Sequence, residues 1–201
     1  MKSYLLIDRS GSMASRWAET IGAVNAYVEE LAKDKAGKKA DITVAVFDSA
    51  APFELIREDV KVSEWKPIAL NEVSPRGSTP LFDAVGTLVQ KVKAASPKKA
   101  AVIILTDGME NCSREIKKET AKILLDELRA KNYDVSFIGA DFDAFSQSSG
   151  LGNGYGNTII MNAGNYEKAF RGLATKSASY AATGLVAEFT DQERSAAVGK
   201  K

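Results

Sequence analysis

No histidine occurs anywhere in this chain of 201 residues. Histidine-based acid–base catalysis, Ser-His-Asp or Cys-His hydrolysis and histidine-ligated zinc or iron are therefore excluded within it. Cysteine is almost as scarce: Cys112 stands alone, which excludes an intramolecular disulfide and every multi-cysteine metal site. Long apolar runs are missing as well. Asp8 ends the first one after Tyr4-Leu5-Leu6-Ile7, too short for a signal-peptide core or a membrane-spanning helix. Asn111-Cys112-Ser113 fits the glycosylation sequon, but without a secretory signal it reads as coincidence, and a cytoplasmic location is expected. Nor is there an excess of charge. Lysine and arginine number 27 against 26 acids, a net +1, which argues against a general electrostatic nucleic-acid binder.

What remains is the material of an ordinary soluble domain, with 45% hydrophobic and 26% charged residues. A single domain of this length buries roughly 70% of its unfolded surface and needs no covalent or metal staple to fold. Strand and helix patterns alternate along it. Residues 3–7 form a short apolar run. Trp17, Ile21, Val24, Val28 and Leu31 then recur at helical spacing until Gly37 and Lys38-Lys39. Residues 42–47 and 53–57 read as strands separated by only 48–52, short enough for an antiparallel hairpin and too short for a parallel crossover. Residues 60–80 read mostly as loop, with some helix around 63–65. Leu81, Val85, Leu88 and Val92 restart the helical spacing, with Pro80 suited to a first turn. Residues 100–106 are almost unbroken in apolarity, as a strand buried on both faces requires. A helix face through Ile116, Ile123, Leu124 and Leu128, a strand at 135–138, a short helix at 141–149 and a strand at 158–161 follow. Tyr166, Phe170, Leu173 and Tyr180 line a last long helix, and Thr190 with Glu193 predicts a capping box for a small helix at 191–198.

This alternation predicts an α/β fold: a doubly wound, Rossmann-like, mostly parallel six-stranded sheet with one antiparallel edge strand and helices on both faces. Ligands of such sheets bind beyond the carboxyl ends of the strands. Three segments expected at that edge carry oxygen donors: Asp8-Arg9-Ser10-Gly11-Ser12, Gly77-Ser78-Thr79-Pro80 and Thr106-Asp107-Gly108. Hydroxyls, carboxylates and waters are what Mg²⁺ requires, six oxygens at about 2.0–2.1 Å. Across Gly11, Ser10 and Ser12 can point two hydroxyls at one ion.

Asp8-Arg9-Ser10-Gly11-Ser12, followed by Met13, resembles the DxSxS signature of von Willebrand factor A (VWA) domains. Gly-Ser-Thr-Pro-Leu and Thr-Asp-Gly recur in the expected order, so the resemblance covers essentially the whole chain. It implies a metal-ion-dependent adhesion site in which Ser10, Ser12 and Thr79 supply hydroxyl ligands and Asp8 and Asp107 act directly or through water. It also implies the strand order 3-2-1-4-5-6, a domain over 1–183 and an extension over 184–201. Asp107-Gly108-Met109-Glu110-Asn111 and Phe137-Ile138-Gly139-Ala140 look like the stand-alone bacterial and phage members. The implied cofactor is Mg²⁺, with Mn²⁺ or Ca²⁺ as substitutes. The implied partner is a protein offering an Asp or Glu carboxylate, an AAA+ ATPase or an assembly component among the options, with neither nucleic acid nor membrane involved.

Plainer roles compete. Asp8, Asp107, Ser10 and Ser12 could cap helices without a metal. Glu110 and Asn111 could anchor a loop or hold the metal's waters. Cys112, Trp17 and Trp65 read as packing residues, and Lys38-Lys39, Lys98-Lys99 and Lys117-Lys118 as solvated faces. Arg9, a cation inside the acidic motif, has no assigned role. A non-enzymatic binding module is the leading expectation. A Mg²⁺-dependent phosphoesterase is the weaker one, because Ser10 stands where a phosphoaspartate enzyme needs a second aspartate and no P-loop exists. A structural subunit of a phage or bacterial assembly is the third.

Overall fold

In the computed structural model, which describes residues 1–140 and 148–199, the chain opens with strand β1 (Lys2–Asp8). A 3-10 turn (Gly11–Arg16) leads into α1 (Trp17–Lys33). Then come β2 (Asp41–Phe47), β3 (Glu54–Lys61), α2 (Leu81–Ala95), β4 (Ala100–Thr106), α3 (Lys118–Ala130) and β5 (Asp134–Ala140). Strand β6 (Thr158–Met161), α4 (Tyr166–Thr183) and α5 (Asp191–Ala197) complete it. The strands lie in the order β3-β2-β1-β4-β5-β6, as expected, and all neighbours are parallel except β2 and β3.

Alternation along β1 explains why two layers of helix are needed. Leu5 and Ile7 face a core completed by α1 and α4, while Tyr4 and Leu6 face one completed by α2 and α3. Every residue of β4 is buried, since a central parallel strand is covered on both faces. The C-terminal helix is the capping box read from Thr190 and Glu193. Ala197 and Phe189 add to the α1–α4 core, and Arg194 bonds the carbonyl of Thr158.

Departures from expectation have local causes. Strand β3 continues past Arg57 to Lys61, through a register shift against β2 and a positive φ of 48° at Asp59. A bulged edge strand with one solvated face carries no clean alternation to read. The buried stripe of α3 is Ala121, Leu125 and Leu128; Ile123 is 58% exposed and Ile116 precedes the helix. Pro80 is the residue before α2 rather than in its first turn. Lys99 is no solvated lysine: its ammonium donates to the carbonyl of Ala181 at 2.6 Å and so caps the end of α4. The helix expected at 141–149 lies mostly outside the described residues.

Candidate metal centre

Two strand ends and one helix start meet at the carboxyl edge of the sheet. Asp8 is the last residue of β1, Ser10 and Ser12 begin the 3-10 turn behind it, Asp107 directly follows β4, and Thr79 precedes Pro80 at the head of α2. All five residues singled out in the sequence are brought together. The Ser10 and Ser12 hydroxyls are 3.0 Å apart, and Ser12 donates to Asp107 Oδ1 at 2.7 Å. A Cβ on Gly108 would stand 3.4 Å from Thr79 Oγ1 and 3.7 Å from Ser12 Oγ, so the glycine lets the third loop close over the other two.

Asp8 is fully buried. Its carboxylate accepts the Ser10 N–H at 2.7 Å and the Thr106 hydroxyl at 2.6 Å. No lysine or arginine among the described residues pairs with it. Burial pushes its carboxyl up to about 6, and the charge on Asp107 adds to that, against the lowering effect of Thr106 and Ser10. Arg16 lies 3.7 Å from the other carboxylate oxygen of Asp107, Oδ2.

The capping alternative does not account for these groups. Ser10 is the residue before the 3-10 turn, yet its side chain makes no cap bond and turns to Ser12 instead. Among the described residues no three carboxylates or thiolates converge; what converges is two carboxylates and three hydroxyls, and the Thr79 hydroxyl makes no hydrogen bond among them. An all-oxygen set of low charge, one member an uncompensated buried carboxylate, fits a hard divalent cation.

The neighbouring loop shows what Glu110 and Asn111 hold. Glu110 accepts the N–H groups of Phe82, Cys112 and Ser113 at 3.0, 2.7 and 2.6 Å, and Asn111 accepts that of Thr79 at 2.9 Å. Both are loop anchors, and Asn111 fixes the backbone of Thr79. The Cys112 thiol is pushed up by its burial and by Glu110, which leaves it a poor nucleophile. Trp17 packs in the core with its indole N–H on the carbonyl of Val73 at 2.7 Å. Sequence reasoning named Thr106 only as part of an oxygen-bearing segment, without its role as donor to Asp8, and missed Asp48, whose salt bridge engages Arg9. The rule that drew attention to residues just past each strand also points to Asp48, just past β2.

The sequence profile described as von Willebrand factor type A domain matches residues 4–179. The chain belongs to that family. No curated protein matches it. Solved A domains share its fold at low identity. The vWF domain of the type V pili tip protein Mfa5 from Porphyromonas gingivalis has 11% identity and a TM-score of 0.69, covering 94% of this chain and 98% of that one. Manganese-loaded TRAP protein of Plasmodium vivax has 17% identity and a TM-score of 0.61, with 94% and 74% covered. Proximal thread matrix protein 1 from the mussel byssus has 15% identity and a TM-score of 0.66, with 88% and 46% covered. This A domain thus spans less than half the length of some relatives it matches. None of its helices, among the described residues, is long and apolar enough to cross a membrane.

Proposed function

We propose that this A domain is a divalent-metal-dependent protein-interaction module. Ser10, Ser12 and Thr79 supply hydroxyl ligands, and Asp8 and Asp107 act directly or through water. The observation that carries this reading is the chain Ser10–Ser12–Asp107, closed beside a buried Asp8 that has no cation. Mg²⁺ is the favoured ion, with Mn²⁺ and Ca²⁺ as substitutes; manganese in the TRAP relative is consistent with this. An ion held largely by neutral hydroxyls keeps its electrophilic character and can take an Asp or Glu carboxylate from a partner protein. The chain's own part is to present the hydroxyls, place the Asp8 carboxyl beside them and keep the Thr79 loop within reach.

The partner class includes AAA+ ATPases and components of larger assemblies, and the free thiol of Cys112 suits a reducing cytoplasm. The domain proper is taken as 1–183 and the remainder as an extension. The module is read as non-enzymatic: the chain has no histidine, and among the described residues its raised thiol has no base to activate it.

Affinity capture from the native host with and without chelator, beside an assay of phosphoester hydrolysis, tests the proposal. Capture lost in chelator, weakened in Thr79→Ala and unaccompanied by turnover is the expected result. Turnover abolished by Asp8→Asn would establish the phosphoesterase instead, and capture indifferent to chelator would establish the structural subunit.

A further inference from the structure

The loop that carries Thr79 belongs to no helix or strand until α2 begins, yet its position decides whether the Thr79 hydroxyl reaches the serines. Backbone bonds lace it to the β1 loop. The Arg76 N–H donates to the carbonyl of Arg9 at 2.8 Å, and the Gly11 N–H donates to the carbonyl of Gly77 at 3.0 Å. On its other side the loop leans on the β2–β3 turn. Ser78 N–H donates to Ser49 Oγ at 3.0 Å. Gly77 has a φ of 68°, and a Cβ there would fall 2.5 Å from that same oxygen.

Between these layers lies a buried ionic cluster. Arg9 and Asp48 have side chains 4% and 0% exposed and form a direct ion pair. Arg9 also reaches Glu54, and Arg76 donates to Asp48 at 3.1 Å. Asp48 further accepts the N–H groups of Ala50 and Ala51 at 2.6 and 3.0 Å. Burial works against the charge on Asp48, but these N–H groups and the two guanidinium groups outweigh it and hold the carboxyl below its usual range. A buried ion pair is a poor device for stability, because desolvating both charges offsets their attraction, and its better-attested use is to fix one arrangement of chain.

We infer that Arg9 and Asp48 are positioning residues: their buried pair, joined by Arg76, clamps the Thr79 loop onto the serine loop and thereby sets the affinity for the divalent ion. The inference rests on the metal-site reading above and goes beyond it, since neither side chain is a ligand. Arg9 is turned away from Asp8 and Asp107 and toward the hairpin, so its charge serves the frame and not the site.

The test separates frame from stability. Arg9→Met/Asp48→Asn removes both charges together and keeps a side-chain carbonyl oxygen at position 48 to accept from Ala50 and Ala51. Arg76→Met removes only the half-exposed member and strands no charge, since Arg9 still neutralises Asp48. Expected for the double variant is metal-free stability equal to or above wild type, with Mn²⁺ affinity about tenfold or more weaker by calorimetry. Its Arg76 and Gly11 amides should also exchange about tenfold faster in the metal-free state. Arg76→Met should show the same pattern at smaller size, and it decides the matter if the double variant does not fold. Wild-type Mn²⁺ affinity and unchanged amide exchange in a folded variant would overturn this inference alone. A wild type that takes no Mn²⁺ would overturn the metal reading, and this inference with it.

Discussion

Asp8 and Asp134 are both buried, one at the carboxyl end of β1 and the other at the opposite edge where β5 begins, and the chain treats them differently. The Lys176 ammonium from α4 meets both oxygens of Asp134 at 2.5 and 2.6 Å, and Ser136 joins at 3.1 Å. Asp8 receives an N–H and hydroxyls only, and its carboxyl is driven up to about 6. Where a buried charge serves the fold, a lysine on a packed helix neutralises it. Asp8, where the serine, Thr79 and Asp107 loops converge, has no lysine or arginine partner among the described residues. The difference is what locates the site, because a buried ion without a partner is a cost that packing alone does not explain.

Breaking the balanced partner gives the largest effect. Lys176→Met strands Asp134 and should cost about 3–5 kcal/mol in urea unfolding at neutral pH; a loss under about 1 kcal/mol would mean that this fold tolerates a bare buried aspartate, and the contrast would fail. Supplying the missing partner comes next. Mg²⁺ or Mn²⁺ at about 100 times its dissociation constant should add roughly 2.7 kcal/mol. Asp8→Ala should remove that gain and leave the metal-free protein folded; a wild-type melting temperature indifferent to both ions would refute the site.

Removing the uncompensated charge is the third, and its sign is opposite to the first. Folded Asp8 holds its proton more tightly than an unfolded aspartate, about 6 against 3.8. Its stabilising contribution is therefore complete below the lower value and is lost as pH rises through the upper one. Metal-free Asp8→Asn should then exceed wild type by on the order of 2 kcal/mol at neutral pH, the gap closing in acid. The new amide can donate to Thr106, whose hydroxyl turns to the Gly108 carbonyl at 3.1 Å. Equal stabilities across that range would contradict the assignment. Smallest is Thr79→Ala, which removes a hydroxyl making no hydrogen bond among the described residues and should shift metal-free stability by less than about 0.5 kcal/mol. Its effect belongs in the metal titration.

Legibility in the sequence followed the physics of each element. Residues 100–106 read correctly to the residue because a central strand covered on both faces is almost unbroken in apolarity, and the short apolar run at 158–161 was equally plain. The small helix after Thr190 was legible because its cap is a local hydrogen-bond pair. Strand β3 and the α3 stripe were less so: a bulged edge obeys no period, and Ala121 packs closely while the larger Ile123 faces out. At the site, the oxygen donors stood in short motifs at strand ends and could be named in advance. The clamp could not, because Arg9, Asp48 and Arg76 come from three separate loops and only the folded sheet brings them into one cluster.

The contrast between the two aspartates is tested most directly by an anomalous difference map at the manganese edge, from crystals grown with Mn²⁺ and an acetate buffer. The account predicts one strong peak among Asp8, Ser10, Ser12 and Thr79, absent from crystals of Asp8→Asn, and no peak beside Asp134. Manganese bound only elsewhere, or a peak that survives Asp8→Asn unchanged, would contradict it.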